Sequence, residues 1–187
     1  LAAAEASTSP SERAHLARSA ASHFEAASRA TGAWAPAARA SDSYLVAEIP
    51  PLASAWYWIA ADGADYSEEY LSWQRGALDR VFAARASITL DPSEPIKTAQ
   101  VDGALLPYDA IGRPVALGPG SHRIAVTSER GAAFEGAVEV SARDVGKTRF
   151  FPIRFPSAER QDEIPADKKY PRRPRDGGFG ALQIITI

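Results

Sequence analysis

The spacing of apolar residues changes once along the chain, from helical in the first part to strict alternation after Ala86. The first helix is expected over residues 10–30. Ser9 can cap it, Pro10 suits the first helical position, and Glu12 lies three residues after the cap. Thr31-Gly32 ends it, because glycine tolerates the left-handed backbone of a helix end. The apolar stripe of this helix (Leu16, Ala20, Phe24, Ala27) is thin and alanine-rich, so it gains little from burial unless another helix or chain approaches closely. Residues 33–39 read as a loop, and Tyr44 to Ile49 as a short strand halted by Pro50-Pro51. The segment 52–61 carries Trp56-Tyr57-Trp58-Ile59, is rich in strand formers and reads as a strand, though it is short enough for helix. On a strand Trp56 and Tyr57 face opposite ways, which predicts that one of them reaches an outer surface or another chain. A second helix follows, capped by Asp65 with Glu68 at the capping-box position and reaching about Arg85. Its apolar face is Tyr70, Trp73, Leu78, Val81 and Phe82.

Beyond Ala86, Ile88 and Leu90 flank Thr89, Ala99 and Val101 flank Gln100, Ile124 and Val126 flank Ala125, and Val138 and Val140 flank Glu139. These are half-buried strands, and Arg149, Phe151, Ile153 and Phe155 mark a last one. Turn signals separate them at Asp91-Pro92, Asp102-Gly103, Gly118-Pro119-Gly120, Arg130-Gly131 and residues 144–146. The expected class is α+β in three parts. An alanine-rich helical region spans residues 1–85, a small antiparallel β-sandwich residues 86–156, and an extended arm ending in a strand residues 157–187.

The succession Val101-Asp102-Gly103, Gly112-Arg113-Pro114-Val115-Ala116-Leu117 and Pro119-Gly120-Ser121-His122-Arg123-Ile124-Ala125-Val126 resembles the PEGA domain over about residues 87–155. Two departures from that family are a longer stretch from Gly103 to Gly112 and Gly131-Ala-Ala-Phe134 where Gly-Tyr is frequent. The resemblance implies a small β-sandwich of the kind found in exported, lipoprotein and surface-layer proteins, with an accessory or architectural role and no catalysis.

Composition narrows the chemistry further. The chain has 187 residues, a net charge of -2, no cysteine and no methionine. Disulfides, iron-sulfur clusters, thiolate zinc sites and cysteine nucleophiles are therefore excluded. No apolar run approaches the roughly 20 residues of a membrane helix, and the overall charge gives no field for a polyanion, so nucleic acid is not an expected partner. A chain without methionine that opens at Leu1-Ala-Ala-Ala reads as trimmed, and export to the periplasm or cell surface is the expectation.

The candidate chemistry is sparse. His15 and His23 are eight apart on one helix, too far for a two-histidine metal site, and His122 falls at a structural position of the resembled family. Asp62, Asp65, Glu68 and Glu69 fail the calcium-loop spacing and read as caps and solvated surface. Neither a cofactor nor a metal is expected. Trp56, Tyr57 and Trp58, near Tyr66, Tyr70 and Trp73, read mainly as core, with stacking on a carbohydrate as the alternative. The arm carries Lys168, Lys169, Arg172, Arg173 and Arg175, suited to an anionic membrane or cell-wall polymer. The last strand, with Phe179, Leu182, Ile184, Ile185 and Ile187, is too apolar to lie bare in water and is expected to pair with a sheet edge in this chain or in a neighbour. The leading expectation is a non-enzymatic interaction subunit of an envelope assembly. A carbohydrate- or cell-wall-binding module is the second.

Overall fold

The computed structural model describes Ala3 and residues 9–155, and these belong to one compact unit. Helix α1 (Pro10–Thr31) begins as the sequence predicts. The Ser9 side chain accepts a hydrogen bond from the Glu12 amide, and Pro10 sits in the first turn, where its missing N–H has no helical partner to lose. Gly32 closes the helix at φ 67°, its N–H donating to the Ser28 carbonyl.

Helices α2 (Trp34–Val46) and α3 (Pro50–Asp62) replace the expected loop at 33–39, the strand at 44–49 and the strand at 52–61. The prolines misled because Pro36, Pro50 and Pro51 all fall in first turns, where proline starts a helix rather than stopping one. Segment 52–61 also lacks a polar face. Ala53, Ser54, Ala55, Trp56, Tyr57 and Ala60 are all buried, and a short helix buried all round has the composition of a core strand. Its small residues let α2 approach closely, and the buried Ser41 hydroxyl donates to the Ala53 carbonyl at 2.8 Å across the two helices. Helix α4 (Glu68–Phe82) is capped by Ser67, whose side chain accepts from the Tyr70 amide. Asp65, the expected cap, instead accepts from the Ser67 amide at 3.0 Å, two residues upstream of the actual cap, and the helix ends at Phe82, before Arg85.

Among the described residues seven strands follow: β1 (Ala86–Pro92), β2 (Ile96–Val101), β3 (Ala104–Leu105), β4 (Val115–Leu117), β5 (Gly120–Ser128), β6 (Ala133–Val140) and β7 (Thr148–Ile153). They form a three-stranded sheet in the order β4-β1-β7 and a four-stranded sheet in the order β3-β2-β5-β6. Strand β1 runs antiparallel to β4 but parallel to β7, which corrects the expectation of a wholly antiparallel module. The chain passes through the entire four-stranded sheet between β1 and β7, ample length for the crossover that parallel pairing requires. The Asp102-Gly103 turn joins β2 to β3 with both residues at positive φ (53° and 78°), as a two-residue hairpin turn demands.

Ile88 and Leu90 of β1, Val101 of β2, Ile124 and Val126 of β5 and Ile153 of β7 belong to one buried cluster, so both sheets contribute to the same core. The outward face of β4 is covered by helices: Ala116 packs with Tyr57, Ala77 and Val81. Ser54 on α3 fixes that contact, its hydroxyl accepting from the Ala116 amide at 2.9 Å and donating to the Pro51 carbonyl at 2.9 Å.

Candidate functional site

Strand β6 ends the four-stranded sheet, and the hydrogen bonds at the β5–β6 turn fix which of its backbone groups are paired. Ser128 N–H donates to the Ala132 carbonyl at 2.8 Å and Gly131 N–H to the Ser128 carbonyl at 3.0 Å, so Ser128 turns its backbone toward β6. Alternation turns Val126, Ile124 and His122 the same way, opposite Phe134, Gly136 and Val138. The other side of β5 agrees, since the Asp102 amide on β2's turn donates to the Arg123 carbonyl at 2.8 Å. Ala133, Glu135, Ala137 and Glu139 therefore point their N–H and C=O groups away from the sheet. No described strand pairs with that side. The strand is eight residues long and holds no proline. Its guard is acidic, with Glu135 accepting from Arg123 at 2.6 Å on the exposed face.

Strand β7 ends the other sheet and is guarded differently. The Lys147 and Ile153 carbonyls accept from Ser87 and Ser93 on the β1 side, so Thr148, Phe150 and Pro152 turn outward. Pro152 has no N–H to offer there. Phe150 stands 76 % exposed on the outer face. The two end strands meet through their inner rings, Phe134 and Phe151, with centroids 6.1 Å apart and edge to face. Gly136 makes room for this pair, since a side-chain carbon there would lie 2.8 Å from the Phe134 ring.

His122 braces the base of this sheet. Its Nδ1 meets Asp102 Oδ2 at 2.7 Å and its Nε2 meets the Gly118 carbonyl at 2.8 Å, while Asp102 Oδ1 accepts from the Arg123 amide. Both ring nitrogens are thus engaged in tying the Asp102-Gly103 turn to β5. His15 and His23 lie exposed on α1. The acidic group is dispersed: Asp62 pairs with Arg113 at 2.7 Å, Asp65 holds the Ser67 amide, and Glu68 and Glu69 occupy the exposed first turn of α4. The Ser67 amide bond holds the Asp65 carboxyl below the usual carboxylate range. Among the described residues no group of three or more His, Asp or Glu side chains is placed to hold a metal ion.

Trp56 and Tyr57 are both buried, at 1 % and 3 % exposure, so neither supplies the outer ring expected of a strand. On a helix adjacent residues lie about 100° apart, and α3 is enclosed on both of those sides. Trp56 Nε1 donates to Glu25 Oε1 at 2.9 Å, and the same oxygen accepts from the Tyr44 hydroxyl. Burial, reinforced by the Glu25 carboxylate, pushes the Tyr44 hydroxyl well above the usual tyrosine range. Tyr57 packs on Trp58, Trp73 and Phe82, and Trp34 on Tyr70 and Trp73. Tyr66 is the exposed member of the group. Glu25 was not singled out from the sequence, yet its signal is there: with Ala21 and Ser28 it recurs at helical spacing on the face that α1 buries.

Lys168, Lys169, Arg172, Arg173 and Arg175 of the arm, and Phe179, Leu182, Ile184, Ile185 and Ile187 of the terminal segment, lie outside the described residues. Comparison with protein-family models, with curated proteins and with solved structures found no match to this chain.

Proposed function

We propose that the chain is a non-enzymatic interaction subunit whose β part accepts a strand on the outer edge of β6, and that the apolar segment 179–187, from this chain or a neighbouring copy, is the strand it accepts. The observation that carries this reading is the edge that no described strand pairs: Ala133, Glu135, Ala137 and Glu139 aim four donors and four acceptors outward over an eight-residue strand without proline. Strand addition supplies the missing half of each hydrogen-bond pair and covers apolar surface of the added segment. On this reading the two sheets that share one core form a PEGA-like sandwich, the helices are its rigid mount, and the chain works in an extracytoplasmic assembly.

The test is sedimentation of three proteins: the full chain, a chain lacking residues 179–187, and Ala137→Pro. At position 137 the N–H points outward, so proline removes an edge donor and leaves the β5 ladder intact. Association of the full chain, lost in both variants while their circular dichroism is retained, is the expected result. Equal masses for all three proteins would exclude exchange between copies, and an unchanged protease-resistant core and melting temperature in the deletion would exclude pairing within the chain.

A further inference from the structure

A second site lies where the helices meet the beginnings of β1 and β7. Trp58 and Phe82, with ring centroids 5.9 Å apart, form an apolar wall with Leu78. Ser87 and Thr148, their hydroxyls sharing a 2.8 Å hydrogen bond, line the same cleft, as does Arg85. The cleft has a volume of about 240 Å³. Its walls are set in advance. Trp58 Nε1 donates to the Pro114 carbonyl at 2.8 Å, and the Arg113 guanidinium lies 5.8 Å from the Trp58 ring while paired with Asp62. Arg85 is also fixed, because its Nη1 donates to the Arg80 and Val81 carbonyls at 2.8 and 3.0 Å, at the C-terminal end of α4.

Arg85 differs from the arginines that surround it. Arg80, Arg113 and Arg149 each have a carboxylate within bonding reach. No carboxylate pairs with Arg85 among the described residues, and no Asp or Glu lines the cleft. Two of its donors, Nε and Nη2, make no hydrogen bond to a described residue. Those two N–H groups form the side-on fork of a guanidinium, the geometry that grips both oxygens of a carboxylate. Partial burial pulls the Arg85 pKa down, and no acid lines the cleft to offset it. An anion arriving at the fork gains charge-assisted hydrogen bonds, and an apolar group attached to it finds Trp58, Leu78 and Phe82 within the same cleft.

We infer that this cleft binds a small monocarboxylate with an apolar body about one ring in size, its carboxylate on Arg85 and its body against Trp58 and Phe82. The cleft is smaller than the roughly 300–1,000 Å³ typical of pockets for larger organic ligands, which sets the upper limit on the body. The probe pair is 3-phenylpropionate and its amide, titrated into the full chain by calorimetry and by the NMR shift of the Trp58 indole N–H. The acid is expected to bind at least about tenfold more tightly than the amide, as a charge-assisted pair requires. Leu78→Glu, at a wall position 47 % exposed, removes apolar contact from both probes and adds a carboxylate beside the site, and is expected to weaken both, the acid more than the amide. Arg85→Gln is expected to abolish the difference between the probes, with circular dichroism reporting that α4 keeps its end. Equal affinity for acid and amide, or no saturable binding of the acid, would overturn the inference. Ala137→Pro is expected to bind the acid as the parent chain does, which separates this site from the β6 edge.

Discussion

Ser54→Ala probes the joint on which the single compact unit depends. Ser54 and Ala116 are both fully buried, and the Ser54 hydroxyl is the partner of the Ala116 amide at 2.9 Å. Truncation strands that amide where no water reaches it, which costs about 1–3 kcal/mol. The lost bond to the Pro51 carbonyl adds less, because a carbonyl tolerates losing one donor better than an amide tolerates losing its acceptor. A total near 2–3 kcal/mol is a sizeable part of the roughly 5–15 kcal/mol that holds a domain together. With a urea slope of roughly 1–3 kcal/mol per molar, the midpoint should fall by about 1 M. Ser41→Ala is the matched control. That hydroxyl is equally buried, but it only donates to the Ala53 carbonyl, so no donor is stranded and the expected loss is under about 1 kcal/mol. The assay is urea unfolding followed by far-ultraviolet circular dichroism and by tryptophan emission. Trp34, Trp56, Trp58 and Trp73 all lie on helices, so emission reports the helical side and, through Trp58, its joint with the strands. The two signals should move together in one transition. Equal losses in Ser54→Ala and Ser41→Ala, or an emission midpoint separated from the dichroism midpoint, would refute the reasoning.

Three further outcomes are expected. Glu25→Ala removes the shared acceptor of Tyr44 and Trp56 and should cost about 2–3 kcal/mol in the same urea assay, whereas Arg29→Ala, which deletes an exposed partner of Glu25 and a guanidinium 5.7 Å from the Trp56 ring, should cost about 1 kcal/mol or less. Tyr44 holds its proton more tightly folded than unfolded, so the stability it contributes is complete below the ordinary tyrosine pKa of about 10 and is lost as pH rises beyond it. Melting temperature measured from pH 8 to 11 should therefore fall more steeply in the parent chain than in Tyr44→Phe. Asp144 shows the opposite sign: the Ser141 hydroxyl and amide, aided by Arg149, hold its carboxyl below the usual range, so its contribution is present above about pH 4 and is lost as pH falls. Asp144→Asn should lower the melting temperature at pH 7 and flatten its decline on acidification.

The sequence carried some elements plainly and hid others for identifiable reasons. Helix α1 was legible because Ser9, Pro10 and Gly32 are local signals that need no tertiary partner. Strands β2, β5 and β6 were legible because one face of each is more buried than the other, which writes alternation into the residues, whereas β3 is two residues long and β4 is buried on both faces, so neither was read. Helices α2 and α3 carried no such mark. Ala33 and Ile49 precede them without a side-chain cap, and α3 is enclosed all round, so neither a boundary nor a period was left to read. The parallel pairing of β1 with β7 was hidden too, since residue pattern does not record strand direction. At the candidate sites the limits are similar. That β6 ends its sheet follows from strand order, a property of the whole fold, and the Arg85 cleft joins residues from two helices and two strands that lie far apart in sequence.

The most direct measurement of strand addition is amide hydrogen exchange along β6 in the full chain, residue by residue. The account predicts that the outward amides of Ala133, Glu135, Ala137 and Glu139 exchange slowly in the full chain and quickly once residues 179–187 are removed, while Phe134, Gly136 and Val138, bonded to β5, stay protected in both. Fast exchange at the four outward amides of the full chain, alongside slow exchange at their inward neighbours, would contradict it.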